Sequence, residues 1–271
     1  MQPHSWGPKQ VGIGIALAIS VFIFSSGVLY FVTLAVGSDY RLTDVGDVFV
    51  KAGTVATYAD QRLVAASTNQ PLPKPPHILA DLTTVKLGFG TTLVYEALLI
   101  AIVGGTAKLT FRGLVDAFGL NRYNVSRLWR PGLAAIAGYA FVILYSVAAN
   151  ASGIDWLKPQ STIPNEIVRD NLTLVIAGVL ACIAAPISEE IFFRGFVFTG
   201  LLKWGFLPAA AISGLAFSLA HFDPGSVIPF FGIGVLMAWL YWSRGSLWDS
   251  IAFHCFFNSV SFLALILSMK G

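Results

Sequence analysis

The chain has 271 residues, of which 56% are hydrophobic and only 11% charged, with a mean hydropathy of +0.73. Soluble domains carry about a quarter charged residues, so the composition excludes an ordinary soluble domain, a disordered chain and a disulfide scaffold, and indicates a polytopic membrane protein. Seventeen Lys and Arg against fourteen Asp and Glu leave a formal charge of +3, too slight for nucleic-acid binding, and Cys182 and Cys255 sit in apolar runs as small hydrophobes.

A spanning helix needs about 20 mostly apolar residues. Val11–Val36 meets this and reads as an uncleaved first span. Leu87–Gly105 is the second and carries a lone acid, Glu96, whose default reading is a structural or cavity-facing role. Pro131–Ala149 is the third, with its proline suited to a first helical turn. Leu172–Leu267 is apolar almost throughout and is divided by its punctuation. Asn171 or Thr173 caps a helix to Ala185; Pro186 interrupts it, and Ser188 caps a new helix beginning Glu189-Glu190. Gly205 and Pro208 precede Ala209–His221, the Asp223-Pro224-Gly225 turn precedes Val227–Trp242, and Ser243–Ser246 precedes Leu247–Leu267. The expected fold is all-α, a transmembrane helical bundle of about eight spans, or seven if Leu172–Trp204 is one kinked helix.

Orientation follows from basic residues in short loops. Thr106–Arg130 holds Lys108, Arg112, Arg122, Arg127 and Arg130 against Asp116, so it is expected to be cytoplasmic and to contain interfacial pieces. Ser38–Lys86 balances its bases with Asp39, Asp44, Asp47, Asp60 and Asp81, and reads as an extracytoplasmic loop with a stiff Pro71–Pro76 stretch.

Charges at membrane depth cost about 2.5–3.5 kcal/mol each on insertion scales, yet Glu189, Glu190, Arg194, His221, His254 and Asn258 all lie in apolar surroundings. Glu190 and Arg194 are i and i+4 and share a helix face, where they can form a structural ion pair. Glu189 is turned by roughly 100° and lacks such a partner. His254 and Asn258 are again i and i+4. A hairpin from Glu190 through Gly205 and back brings His221 to the level of Glu189; with eight spans and the basic loop inside, that level is cytoplasmic. A carboxylate and an imidazole sharing one water can polarise it for attack on a carbonyl, and the resulting oxyanion needs preorganised donors. Glu189 with His221 supplies the first function and His254 with Asn258 the second, which together describe peptide-bond hydrolysis.

The motifs Glu189-Glu190-x-x-x-Arg194, Phe217-x-x-x-His221 and His254-x-x-x-Asn258, in this order, resemble those of the CPBP family, the CAAX proteases and bacteriocin-processing enzymes also called the Abi or type II CAAX prenyl endopeptidase family. The resemblance covers Leu172–Leu267. It implies residues 1–170 as N-terminal membrane helices and 171–271 as the catalytic core of an intramembrane endopeptidase whose cavity faces the cytosol. It also implies Glu189, His221, His254 and Asn258 as catalytic, and Glu190, Arg194 and Phe217 as substrate-binding or supporting residues. The implied partner is a membrane-associated protein or peptide, in eukaryotic relatives a prenylated CaaX terminus, and the implied location is the cell membrane if the source is prokaryotic. No cofactor is expected. The alternatives are a zinc enzyme using both histidines and a carboxylate, and a non-catalytic scaffold or bacteriocin-immunity protein.

Overall fold

The computed structural model describes residues 6–36, 82–159 and 170–270, with isolated positions at 61, 64, 65, 67, 68, 70, 71 and 167. Most of the loop expected at 38–86, including Asp39, Asp44, Asp47, Asp60 and Asp81, lies outside the described residues. Long apolar segments become helices because only a helix satisfies every backbone N–H and C=O without water. The helices are α1 (Pro8–Ala35), α2 (Leu82–Ala107), the short α3 (Phe111–Ala117), α4 (Trp129–Ser152), α5 (Asn171–Trp204), α6 (Phe206–Leu219), α7 (Val227–Arg244) and α8 (Trp248–Lys270). Six of them are long and apolar enough to cross a membrane, and α6 is a shorter apolar helix. Large apolar side chains such as Phe24, Phe31, Leu144 and Leu263 are exposed on the outside of the bundle, as expected where lipid is the solvent.

The described residues thus hold six helices of spanning length and one shorter apolar helix, fewer than the eight expected, in part because α5 does not break at Pro186. The turn before the proline is a π-helix at Leu180–Ala184, and the helix then resumes with Pro186 in its first turn. A proline lacks the N–H and clashes with the carbonyl four residues back; the wider π turn absorbs both defects. Ser188 therefore does not cap a helix: its hydroxyl bonds back to Ala184 O at 2.8 Å. The cap at the start of α5 is Asp170, whose carboxylate accepts from Thr173 N at 2.9 Å and Thr173 Oγ1 at 2.6 Å. These bonds, with Lys86 Nζ at 3.0 Å, hold the Asp170 carboxyl down at about 2.

The basic segment after α2 is fastened to the α7–α8 turn by Leu247 N to Phe118 O, Ser246 Oγ to Gly119 O and Trp248 Nε1 to Leu120 O. Gly245 makes that turn with φ +67°, a left-handed conformation that a side chain would strain. Where α6 crosses α7, Gly214 and Gly234 meet so closely that a Cβ on Gly234 would lie 2.7 Å from the Gly214 Cα, the close backbone approach that small residues allow between membrane helices.

Candidate active site

A second π-helical stretch begins at Glu190 and runs to Phe198, every residue of it buried. Glu190 and Arg194 are both 0% exposed and are joined by Arg194 Nη1 donating to Glu190 Oε1 at 2.7 Å. An isolated charge here would be untenable, and the carboxylate is saturated. Its Oε1 also takes His254 Nδ1 at 3.1 Å, and its Oε2 accepts from Ser250 Oγ. The guanidinium lies 4.3 Å above the Phe217 ring and donates through Nη2 to Gly234 O at 3.3 Å. Glu190, Arg194, Phe217 and His254 form one buried unit drawn from α5, α6 and α8.

Glu189 is placed differently. Its side chain is 18% exposed, its Oε2 is buried without a hydrogen-bond partner, and that oxygen is 3.9 Å from His254 Nε2. One imidazole therefore lies between two carboxylates, with Nδ1 toward Glu190 and Nε2 toward Glu189. A carboxylate held by Arg194 can only accept, so Nδ1 carries a hydrogen. Nε2 faces the Glu189 carboxylate across a 3.9 Å gap.

His221 ends the turn that follows α6, where Phe222 takes a left-handed φ of +52°. The His221 Nδ1 donates to Phe217 O at 2.8 Å, since a carbonyl cannot donate, and this leaves Nε2 free as an acceptor. Its ring packs against Phe217 and Phe230, with centroids 4.7 and 4.6 Å away. Phe217 also touches His254, ring to ring at 5.6 Å, and so lies between the two imidazoles. Among the described residues Glu189 makes no direct hydrogen bond or ion pair with His221; His254 is the imidazole within its reach. Asn258 Nδ2 donates to Ala181 O at 2.8 Å, on the first π stretch of α5, with one amide hydrogen left over. Glu189, His221 and Asn258 are partly exposed, whereas Glu190, Arg194, Phe217 and His254 are buried.

One further group, Ser250, escaped the reading of the sequence, and Glu96 gains a partner that the sequence did not show. Ser250 lies four residues before His254, which lies four before Asn258, so a single i, i+4 stripe on α8 carries all three; that spacing is a signal the sequence does contain. Glu96 stands out in α2, but its partner is set by packing: its Oε2 accepts from Ser188 Oγ at 2.5 Å, and its carboxylate interacts electrostatically with Glu189 next door. Among the described residues no three His, Cys, Asp or Glu side chains converge as a metal site.

The fold and the site together define a polytopic helical membrane protein with a polar cluster of carboxylates and imidazoles inside it. Residues 171–260, the segment that supplies all these residues except Glu96, match the family described as type II CAAX prenyl endopeptidase Rce1-like. The protein named "Putative membrane peptidase YdiL" of Bacillus subtilis (strain 168) is 29% identical over 179 residues, which cover 64% of this chain and 67% of that one. No solved structure matches the chain. The family and the relative point to a membrane peptidase.

Proposed function

We propose that the protein is an intramembrane endopeptidase that cleaves membrane-associated proteins near their C-termini, prenylated CaaX termini included, through a water activated by Glu189. The observation that carries this reading is the 3.9 Å gap between Glu189 Oε2, a buried carboxylate oxygen with no hydrogen bond, and His254 Nε2. A water held between the two groups donates one hydrogen to Glu189. Glu189 then takes one proton as the water oxygen attacks the peptide carbonyl carbon, and returns it to the departing amine as the C–N bond breaks. His254 takes the place beside Glu189 that the sequence reading gave to His221, because its Nδ1–H is spent on Glu190.

The oxyanion is met by the remaining N–H of Asn258, held in place by Ala181 O. His221, aligned by Phe217 O, offers a second free ring nitrogen that can share the transferred proton. Glu190, Arg194 and Phe217 are positioning residues in this scheme: they set the tautomer and orientation of His254. The scheme needs no metal, consistent with the commitment of His254 Nδ1 to Glu190 and of the Asn258 amide to a backbone carbonyl. The site lies inside the bundle: His254 is six residues, about 9 Å, from Trp248 along α8, and fifteen residues separate Glu189 from Trp204 along α5.

The test is hydrolysis of C-terminal peptides, farnesylated and bare, by the purified protein in bilayers. Glu189→Gln is expected to lose about 10²–10⁴ in turnover, the usual worth of a general base, with its unfolding transition unchanged because Glu189 Oε2 has no hydrogen bond to lose. Full retention of turnover in Glu189→Gln would overturn the mechanism.

A further inference from the structure

On the basic face, well apart from the Glu189 cluster, three sequence segments enclose a cavity of about 260 Å³. Arg122 comes from the loop after α3, Arg127 from the turn before α4, and Arg244 from the end of α7, while Tyr123, Trp248 and Asp249 complete the wall. Arg122 and Arg127 are exposed and form no ion pair among the described residues. Asp249 is the lone acid in the lining, against Arg122, Arg127 and Arg244; its Oδ2 lies 3.8 Å from Arg244 Nε and 3.7 Å from Arg130 Nη1, which stands outside the lining. The lining is therefore positive, and its two exposed arginines have no ion-pair partner among the described residues.

The walls are built rather than incidental. The loop carrying Arg122 is bonded to the α7–α8 turn at Phe118 O, Gly119 O and Leu120 O, and Tyr123 packs edge-on against Trp248 with centroids 5.2 Å apart. This arrangement holds arginines distant in sequence at one mouth. The surroundings fix its depth. Val125 and Trp129, next in sequence to lining residues, are exposed by 63% and 62%, a composition that belongs at the level of lipid headgroups. Guanidinium forks match phosphate oxygens in pairs, and basic pockets between helices on the cytoplasmic side take phospholipid headgroups.

We propose that the Arg122–Arg127–Arg244 cavity is a binding site for the phosphate headgroup of an anionic membrane phospholipid. The full chain, purified in mild detergent, is titrated with phosphatidylglycerol, with phosphatidylcholine and with inorganic phosphate, and bound species are counted by native mass spectrometry. Wild type is expected to retain phosphatidylglycerol but not phosphatidylcholine, and inorganic phosphate is expected not to displace the lipid at equal concentration. The double variant Arg122→Ala/Arg127→Ala is expected to bind phosphatidylglycerol about 30-fold more weakly, at ~fivefold per arginine near an anionic surface. Arg112→Ala, on the same face but outside the cavity, is expected to stay within about twofold of wild type because it touches none of the wall. If the double alanine variant loses its unfolding transition, Arg122→Gln/Arg127→Gln is read in its place with the same expectation. Equal retention of phosphatidylglycerol by the double variant, or equal retention of phosphatidylcholine by wild type, would overturn the proposal; displacement by inorganic phosphate would reassign the site to a soluble anion.

Discussion

Replacing Glu190 with alanine strands the Arg194 guanidinium in a place with no water, since both side chains are 0% exposed. The carboxylate accepts from Arg194, His254 and Ser250, and the variant loses all three bonds. Arg194 keeps Gly234 O at 3.3 Å and the Phe217 and Phe193 rings at 4.3 and 5.9 Å, and its Nε already has no hydrogen-bond partner. Breaking a buried pair from one side costs about 3–5 kcal/mol, because the surviving charge stays desolvated. That is a large part of a total stability of about 5–15 kcal/mol. Removing both charges with Glu190→Ala/Arg194→Met takes away the penalty along with the pair, so this double variant, which closes a cycle with wild type and the two single variants, should recover most of the loss. Unfolding in mixed detergent and SDS micelles, followed by the fluorescence of the seven tryptophans, measures the four corners of this cycle, whose coupling energy should be about 3 kcal/mol. A Glu190→Ala protein within about 1 kcal/mol of wild type, with no recovery in the double variant, would refute the claim that the pair is a structural unit. Turnover measured on the same proteins separates the two roles: the double variant should fold yet remain slow, because nothing is left to hold His254 Nδ1.

Three further outcomes follow from the same geometry. Gly234→Ala should destabilise by about 1–3 kcal/mol, the usual cost of overpacking, since the new Cβ would lie 2.7 Å from the Gly214 Cα and 3.2 Å from Arg194 Nη2; thermal unfolding in detergent checks it. The Asp170 carboxyl titrates at about 2 in the folded protein, below its ordinary 3.8, so its support of the α5 start is complete above pH 3.8 and is lost as the pH falls toward 2. Amide hydrogen exchange at Thr173 and Leu174 should therefore quicken over that window, and Asp170→Ala should exchange fast at every pH. Turnover of the purified enzyme should survive prolonged treatment with a zinc chelator, and loss of activity restored by added zinc would favour the two-histidine metal alternative.

Much of this was open to inspection in the sequence. Hydropathy alone defines the membrane helices, because a segment that cannot leave lipid must satisfy its own backbone. Helix geometry alone pairs Glu190 with Arg194 and aligns His254 with Asn258, because i and i+4 share a face whatever surrounds them. The polar residues stand out for the same reason: in a chain that is 11% charged, each buried charge needs an explanation.

Tertiary packing decided the rest. Pro186 reads as a break in the sequence, yet the π turn before it keeps α5 continuous, so one long helix stands where two were expected. The 3.9 Å approach of His254 Nε2 to Glu189 Oε2 was out of reach of local rules, because it depends on how α8 meets α5. Glu96 met Ser188 across 92 positions of sequence, and Arg122, Arg127 and Arg244 came together only through the docking of one loop on one helical turn. Local sequence sets which face of a helix a side chain occupies; which other helix that face meets depends on contacts between segments far apart in the chain, and those contacts choose the chemistry.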